Sequence, residues 1–332
     1  MNKNFWLGKK VLVTGYEGFL GSNLTKALLS CGANIVGIDI RVRRKNTIFT
    51  SEDYKKIAII EGSVANYRLV KGIIRNHKIE IVFHLAAEAI VGSCLTNPPR
   101  TFNTNIRGAW NVLEACRGIK TVKSIVIASS DKAYGSHKSL PYKEDTPLIG
   151  KHPYDVSKSC ADLIAQTYFH TYGLPVVVTR CGNIYGPGDF NSSRIVPDTI
   201  RCVLGGKTLL IRSDGKFTRD YVFVEDIVGG YLLFAEKVQR LRLFGEVLNF
   251  SNEDPISVLG VVRRIYQLAN RKPSYKILNQ AKYEIKHQYL SSQKARKVLG
   301  WEPKYTLDEG LKKTIEWYKI HYFLGKGRLN EL

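Results

Sequence analysis

The chain has 332 residues, 44% hydrophobic and 24% charged, which is the composition of a globular protein with room for one large domain or two smaller ones. Its net charge is +21, but the basic residues are spread along the chain without a nucleic-acid-binding motif, so we predict a solvated surface and no nucleic-acid partner. No apolar run is long enough to span a bilayer, and "MNKNFWLGKKVLVTG" leads into a strand without a signal-peptide stretch, so we expect a cytoplasmic protein with no membrane partner.

Apolar strand-like runs alternate with amphipathic helical stretches through the first part of the chain. The predicted strands are at residues 10–15, 34–39, 79–87, 123–130 and 175–181. The predicted helices between them are at residues 19–32, 63–77, 100–118 and 154–173. Repeated βα units of this kind specify a parallel sheet with helices on both faces. We therefore predict an α/β protein built on a Rossmann-type doubly wound parallel sheet.

Beyond residue 181 the pattern changes, since "GNIYGPGDFNSS" is rich in turn residues and the later elements are shorter and more mixed. Residues 222–237 are predicted as a helix that returns to the main sheet, and residues 308–323 as an amphipathic helix packed on the core. We therefore predict two domains. The first comprises residues 1–181 with about 222–248, and the second is a smaller C-terminal mixed α/β domain of residues 182–221 and 249–332.

The cysteines are at positions 31, 94, 116, 160, 181 and 202. They show no CxxC spacing and no accompanying histidine cluster, and they lie in apolar or helical contexts. Such cysteines are typical of small core residues in a reducing compartment, so we predict no metal site.

A glycine-rich loop follows the first predicted strand. The segment "TGYEGFLG" places Gly15, Gly18 and Gly21 in a GxxGxxG spacing between a strand and a helix. Glycine permits the tight turn and lets backbone amides approach a pyrophosphate. Asp39 ends the next strand, where a carboxylate would accept hydrogen bonds from the ribose hydroxyls of adenosine and repel a 2′-phosphate. These features predict that the first domain binds NAD.

The basic loop "RVRRK" leaves NADP as the alternative cofactor. Arg41, Arg43 and Arg44 could attract a 2′-phosphate, or they could be solvated loop charges. Because the acidic residue stands at the expected strand end, we favour NAD over NADP.

Tyr154 and Lys158 form a YxxxK pattern at the start of a predicted helix, and this spacing places both side chains on one helical face. A lysine ammonium beside a phenol lowers the pKa of the phenol, so Tyr154 could act as a base. Ser130 at the preceding strand end could hold the substrate oxygen whose proton Tyr154 takes. An exposed helical pair is the alternative, but the upstream glycine loop favours a catalytic role.

At this point the sequence resembles the extended short-chain dehydrogenase/reductase family over almost the whole chain. The segments that carry the resemblance are "TGYEGFLGSNL", "HLAAEAIVGSCLTNP", "TNIRGAWNVLEAC", "SSDKAYG", "PYDVSKSCADLI", "TRCGNIYGPGD", "RDYVFVEDI" and "ARKVLGWEPKYTLDEGL". The resemblance implies a nucleoside-diphosphate sugar as substrate, bound by the second domain.

The residues after Ser130 distinguish branches of this family. Members that only epimerise typically carry small or inert residues there, whereas sugar-nucleotide 4,6-dehydratases place an acid and a second active group, usually in a Thr-Asp-Glu pattern. This chain has Asp131 and Lys132, which resembles the CDP-glucose 4,6-dehydratase branch, and "SRIVPD" at 193–198 is also similar to that branch.

The resemblance implies a three-step reaction. Tyr154 takes the proton of the sugar 4-hydroxyl while NAD accepts hydride from carbon 4. Water is then eliminated across carbons 5 and 6, and the hydride returns to carbon 6. Asp131 is the implied acid for the leaving hydroxyl, which requires a raised pKa.

Lys132 stands at the family's base position, but lysine accepts a proton only when it is neutral. It could have a lowered pKa and act as the base, or it could stabilise the enolate as a cation while another group removes the proton. An ion pair between Asp131 and Lys132 at a loop edge is the third interpretation.

The resemblance implies further site residues. Those expected along the cofactor are Phe19, Leu20, Ser63, Val64, Leu85, Ala86, Ala87, Glu88 and Asn105, together with Tyr154 and Lys158. Ser63 stands where relatives often have an aspartate that holds the adenine, so the Val64 backbone is expected to take that contact. Those expected at the sugar or phosphates of the substrate are Glu88, Asn183, Arg194, Arg219 and His287.

The helices at 100–117 and 153–171 correspond to those that relatives pair in a four-helix interface, so a homodimer is expected. Other activities remain open. They are 4,6-dehydration of UDP-N-acetylglucosamine, GDP-mannose or dTDP-glucose, 4-epimerisation or reduction of a nucleotide sugar, and a non-catalytic nucleotide-sensing role.

Overall fold

The computed structural model describes residues 2–281 and 284–324. The strands are β1 (Lys10–Thr14), β2 (Asn34–Asp39), β3 (Ile57–Glu61), β4 (Ile81–His84), β5 (Ser124–Ala128), β6 (Val176–Cys181), β7 (Asn183–Tyr185), β8 (Leu209–Ile211), β9 (Thr218–Phe223), β10 (Val247–Phe250), β11 (Pro255–Ser257) and β12 (Tyr275–Ile277). The helices are α1 (Lys3–Trp6), α2 (Phe19–Ser30), α3 (Ser51–Lys55), α4 (Tyr67–Asn76), α5 (Val91–Thr96), α6 (Pro98–Phe102), α7 (Gly108–Cys116), α8 (Pro153–Tyr172), α9 (Ile195–Gly205), α10 (Val224–Lys237), α11 (Val258–Leu268), α12 (Gln293–Leu299) and α13 (Leu307–Leu324).

Among the described residues, seven parallel strands form the main sheet in the order β10-β6-β5-β4-β1-β2-β3. Alternate side chains of β1 show why both faces are covered: Val11 and Val13 pack in one apolar layer with α2 and α10, whereas Leu12 packs in the other with α4 and α7. The chain order reverses between β1 and β4, so a crevice opens at the carboxyl ends of these strands. The predicted doubly wound sheet is confirmed.

Two strands of this sheet are absent from the prediction. β3 has a mixed burial pattern, with Ile57 buried and Ala58 exposed, as expected for an edge strand. β10 pairs with β6 at the opposite edge and is reached only after the segment of residues 182–221. The exposed positions of β3 give it a weaker apolar signal than the central strands, which explains why that strand was not predicted.

The helix predicted at 100–118 is interrupted. The chain forms α6, then a π-helical turn over Asn103–Arg107, and then α7. Asn105 lies buried in this turn and donates to the Glu88 carbonyl and to Ser157 Oγ at 3.1 and 2.9 Å. π-helical turns are often found beside functional sites, and this one fixes the loop that follows β4.

The rest of the described chain forms a smaller lobe. It contains a three-stranded sheet of β11, β9 and β7, a two-stranded sheet of β12 and β8, and the helices α9, α11 and α13. Residues 222 and 223, predicted to begin a helix of the main domain, complete β9 instead. The aromatic helix predicted at 308–323 is α13, and its Leu311, Ile315 and Tyr318 are buried in the lobe's core. Residues 325–332 of the predicted second domain lie outside the described residues.

Within the described ranges, no helix combines the length and the apolar character that crossing a bilayer requires.

Candidate active site

A large cavity of about 1630 Å³ opens at the carboxyl ends of the main sheet and reaches the smaller lobe. Its volume exceeds that of a pocket for one drug-sized ligand, so it has room for a dinucleotide and a nucleotide sugar together. Every predicted site residue except Asn105 and His287 lines this cavity. The structure therefore brings together groups that are far apart in the sequence.

The glycine loop forms one end of the cavity. Gly15 has a φ of +71°, and a Cβ atom there would lie 2.8 Å from the Cα atom of Ala86, so only glycine fits. Gly18 is the N-cap of α2 and gives it no side-chain cap, so backbone N–H groups of the first turn are left for a ligand. This geometry fits a dinucleotide pyrophosphate at the helix N-terminus.

The carboxylate of Asp39 lies beside this loop, buried at the end of β2. Its Oδ1 accepts hydrogen bonds from the Arg41 backbone at 3.2 Å and from the Arg44 guanidinium at 2.9 Å. Arg43 instead donates its backbone N–H to Glu17 and places its guanidinium over the Tyr54 ring. The ribose site thus holds an acid and one basic side chain that is paired with it, which fits NAD. A 2′-phosphate of NADP would instead need a cluster of unpaired basic side chains.

The expected adenine site is formed by the loop after β3. Ser63 and Val64 both line the cavity. The Val64 carbonyl accepts a hydrogen bond from the Asn111 side chain at 3.0 Å, which fixes this part of the wall.

Ser130, Tyr154 and Lys158 meet at the floor of the cavity. Ser130 is the N-cap of a 3₁₀ turn over Asp131–Tyr134, and Lys158 donates to the Ala128 carbonyl at 2.8 Å. Burial lowers the pKa of Lys158 to about 8. Burial also raises the pKa of Tyr154 to about 12, ahead of the opposing hydrogen bond with Ser130. The prediction from the YxxxK pattern was a lowered phenol pKa, and here desolvation outweighs that effect.

Asp131 and Lys132 follow directly in the 3₁₀ turn. Asp131 is buried and accepts hydrogen bonds from Ser130 Oγ at 3.0 Å and from the Gln288 side-chain amide. Lys132 donates to Gln288 Oε1 at 3.3 Å, and burial lowers its pKa although Asp131 opposes the shift. One glutamine therefore contacts both residues that the sequence proposed for the elimination step.

The predicted substrate residues differ in how firmly they are held. Arg219 is buried on β9, where it donates to the backbone carbonyls of Thr218 and Lys286 and pairs with Glu284 at 3.3 Å. Arg194 pairs with Asp189 at 3.1 Å and remains partly exposed at the wall. Asn183 lines the cavity from β7.

Two predicted residues lie off the cavity wall. His287 is exposed and its Nδ1 is 2.9 Å from Thr218 Oγ1. Asn105 acts from behind the wall, because its Oδ1 accepts the Glu88 backbone N–H at 2.7 Å. Glu88 itself lines the cavity and pairs with Arg100 at 2.7 Å, a contact that the sequence patterns did not indicate.

Gln288 is the main site residue that sequence reasoning missed. It is fully buried and belongs to an irregular segment before α12. Because it is distant in sequence from Asp131 and sits in no motif, no local pattern points to it. In the described part of the chain, no cluster of three or more His, Cys, Asp or Glu side chains forms a metal site.

This fold and site define a dinucleotide-dependent enzyme of the extended short-chain dehydrogenase/reductase type. The family model described as GDP-mannose 4,6 dehydratase matches residues 12–314, and the chain belongs to that family. The predicted family resemblance is confirmed.

The relatives include two activities. The chain is 32% identical to a UDP-glucuronate 4-epimerase of Thermodesulfobacterium geofontis, over 93% of this chain and 95% of that protein. It is 30% identical to a CDP-glucose 4,6-dehydratase of Salmonella typhimurium, over 96% and 93%. Among solved structures, dTDP-glucose 4,6-dehydratase from Bacillus anthracis in complex with NAD superposes with a TM-score of 0.85 at 28% identity, covering 95% of this chain and 98% of that one. The chain is thus an NAD-dependent enzyme of the nucleotide-sugar 4,6-dehydratase and 4-epimerase family, and NAD as the predicted cofactor is confirmed.

Proposed function

We propose that the protein catalyses the NAD-dependent 4,6-dehydration of a nucleoside-diphosphate hexose to the 4-keto-6-deoxy sugar, with CDP-glucose as the favoured substrate. The observation that carries the proposal is the position of Asp131 and Lys132, which line the same cavity as Ser130, Tyr154 and Lys158. An acid and an amine at this point supply proton transfer groups that epimerisation alone does not need. The 30% identity to a CDP-glucose 4,6-dehydratase supports the choice of nucleotide.

The cofactor side is formed by the main sheet. The glycine loop and the N-terminus of α2 would hold the pyrophosphate, Asp39 the adenosine ribose, and Lys158 the second ribose. Bound NAD supplies the hydride acceptor and a positive charge close to the phenol. Tyr154 then takes the proton of the 4-hydroxyl, while Ser130 holds that oxygen by a hydrogen bond.

We assign the substrate side to the smaller lobe. Arg219 would bind the diphosphate, with Arg194 at the more exposed edge and Asn183 near the sugar. In this assignment the cofactor domain comprises residues 1–181 with about 222–248, and the substrate domain residues 182–221 and 249–332. The exposed position of His287 gives no support to a phosphate contact from that residue.

A nucleotide-sugar 4-epimerase is the second candidate. The observation in its favour is the 32% identity to a UDP-glucuronate 4-epimerase. An epimerase would need only the oxidation at carbon 4 and the reverse step, so Asp131 and Lys132 would not take part in proton transfer.

A substrate panel tests the proposal. Purified protein with NAD is incubated separately with CDP-glucose, dTDP-glucose, GDP-mannose, UDP-N-acetylglucosamine and UDP-glucuronate, and the products are analysed by mass spectrometry and NMR. Dehydration predicts a product lighter by one water from CDP-glucose. A product of unchanged mass and inverted carbon 4 would establish the epimerase instead, and NAD binding with no product from any sugar would favour the sensing role.

We further propose a homodimer through α7 and α8. These helices expose large apolar side chains, among them Trp110 and Leu163 at 44% and 52%. Light scattering of the native protein and of Leu163→Glu tests the interface, since the substitution is expected to shift the mass toward the monomer. A monomeric native protein would refute it.

A further inference from the structure

The cavity has a further part, formed by the smaller lobe, that neither the proposed cofactor site nor the catalytic floor uses. We call it the lobe pocket and define it by residues 195–198 and 210–213, which all line the cavity. The first group is the first turn of α9, and the second begins at the end of β8. Both elements share one apolar core, to which Val196 and Ile211 belong, so the two walls hold each other in place.

The lobe pocket is where the nucleoside of a nucleotide sugar would lie. In the proposed function NAD lies against the main sheet and the hexose lies over the catalytic floor, so the nucleoside has to extend toward the smaller lobe. Arg219, proposed for the diphosphate, faces Lys132 of the floor. Tyr221, two residues further along β9, belongs to the same core as α9 and β8. The path from the floor to the lobe pocket therefore runs past the proposed diphosphate site.

Asp198 supplies an acidic group to the lobe pocket. It lies in the first turn of α9, where it is partly buried, and its backbone N–H donates to the Arg194 carbonyl at 3.0 Å. Among the described residues its carboxylate accepts no hydrogen bond and forms no ion pair. A partly desolvated carboxylate without a donor is unfavourable, so a ligand that donates to it is stabilised.

A donor and an apolar surface complete the lobe pocket. Arg212 follows β8, and its backbone carbonyl accepts hydrogen bonds from the backbone of Gln280 at 2.6 Å and of Ala281 at 3.1 Å, which fixes its position. Its exposed guanidinium faces Asp198 without forming an ion pair in the described part of the chain. Leu210 is 53% exposed on the same wall and offers an apolar face. An acceptor, a donor and an apolar face suit the edge and the ring of a base.

We propose that Asp198 is a specificity-determining residue that accepts a hydrogen bond from the 4-amino group of cytosine, while Arg212 donates to the acceptors beside it on the ring. This inference rests on the proposed function and deepens it, because it names the group that selects a cytidine nucleotide. A carboxylate accepts hydrogen bonds and has no proton to donate, so it pairs with the amino group of cytosine. Uracil and thymine present a carbonyl oxygen at position 4, which a carboxylate repels.

The ionised form of Asp198 is the one that discriminates in this way. Burial raises its pKa from the ordinary value of an aspartate, which is about 4. Arg201 on the same helix and Arg212 across the pocket oppose that rise, since both guanidinium groups stabilise the carboxylate. The thiol of Cys202 also faces Asp198 and is neutral, because burial raises its pKa. The charges around Asp198 therefore favour an acceptor at neutral pH.

The test is calorimetric titration of CDP, UDP, dTDP and GDP into three NAD-bound proteins at neutral pH: the native protein, Asp198→Asn and the control Asp145→Asn. Asp145 is exposed and does not line the cavity. The native protein should bind CDP at least about tenfold more tightly than UDP, because a hydrogen bond to a charged group is worth that much. An amide can also donate to a 4-carbonyl, so Asp198→Asn should bind CDP and UDP about equally. The control should keep the native ratio.

Asp198→Leu separates base recognition from a structural role. It removes the acceptor and adds no donor, so the affinity for CDP should fall about tenfold while that for UDP stays the same. A residue that only supported the fold would weaken both nucleotides equally. This variant carries the test if Asp198→Asn does not fold, which circular dichroism checks. With CDP-glucose as substrate, KM should rise in both variants and kcat should change little, since Asp198 lies away from the catalytic floor.

The outcomes distinguish this inference from the proposed function. If the native protein dehydrates a nucleotide sugar but binds CDP no more tightly than UDP, or if both Asp198 variants keep the native preference, the inference is overturned while dehydration stands. Tightest binding of GDP also overturns it, because the carboxylate would then bind a purine. If the native protein dehydrates no sugar, the proposed function fails. The inference still stands in that case if CDP is preferred and Asp198→Asn abolishes the preference.

Discussion

Replacing Asp162 with asparagine is expected to destabilise the protein by about 3–5 kcal/mol, because the guanidinium of Arg180 would stay buried without a counter-charge. The native pair is bidentate, with Nε–Oδ2 and Nη2–Oδ1 distances of 2.8 and 2.9 Å. Its side chains are only 3% and 0% exposed, so water cannot replace the lost charge. The large expected loss of stability follows from this burial.

The same pair joins the two parts of the catalytic floor. Asp162 lies on α8, which carries Tyr154 and Lys158. Arg180 donates to the Tyr134 hydroxyl at 2.8 Å, and Tyr134 ends the turn that carries Asp131 and Lys132. Asp162→Asn is therefore expected to lower kcat as well as stability.

The measurement is urea unfolding followed by circular dichroism at neutral pH. Glu52→Gln is the control, because its pair with Lys55 is 70% and 71% exposed and should contribute less than about 0.5 kcal/mol. The double variant Asp162→Leu with Arg180→Met should recover most of the loss, since it removes both charges. A loss below about 1 kcal/mol in Asp162→Asn would contradict the reasoning.

Three further predictions follow from the site and the core. Tyr154→Phe should lower dehydration by about 10²–10⁴-fold while NAD still binds, as measured by turnover and by fluorescence titration; full activity would remove Tyr154 from the proton path. Asp39→Ser should raise the affinity for NADP relative to NAD, because Arg44 then loses its carboxylate partner and is left for a 2′-phosphate; an unchanged ratio of dissociation constants would contradict this. Burial lowers the pKa of His84 to about 3, so the unfolded chain binds the extra proton between pH 6.5 and 3 and stability falls as the pH is lowered through that window. At pH 5 the free energy of unfolding should be lower by about 2 kcal/mol than at neutral pH. Urea unfolding of His84→Gln should not show this loss. If both proteins lose the same stability in acid, His84 is not its source.

The central strands and the glycine loop could be predicted because their signals are local. Val11, Leu12 and Val13 form a continuous apolar run since both faces of β1 are buried, and Gly15 is required by a close approach within a few residues of the strand. The strand β3 and the π-helical turn at Asn103–Arg107 could not be predicted in this way. Their conformation depends on an exposed edge and on contacts with the loop after β4, which the local pattern does not contain.

The sequence also predicts only those features of the site that have a local signal. Ser130, Tyr154 and Lys158 follow from a strand end and a helical spacing, so the sequence places them together. The pKa of Tyr154 does not follow from spacing, because it depends on how completely the folded pocket excludes water. Gln288 could not be predicted either, since it reaches Asp131 only through the packing of the smaller lobe.

The origin of these groups suggests why one scaffold supports two reactions. Ser130, Tyr154 and Lys158 all come from the main sheet and α8, and they suffice for removing hydride from carbon 4, the step that epimerases and dehydratases share. In the proposed dehydration, elimination adds Asp131 and Lys132, and their hydrogen-bond partner Gln288 is supplied by the smaller lobe. In the proposed function, the lobe assigned to the substrate therefore also contacts the two groups assigned to elimination. On this basis, changing Gln288 should slow elimination more than oxidation at carbon 4, so the two steps should separate kinetically in its variants.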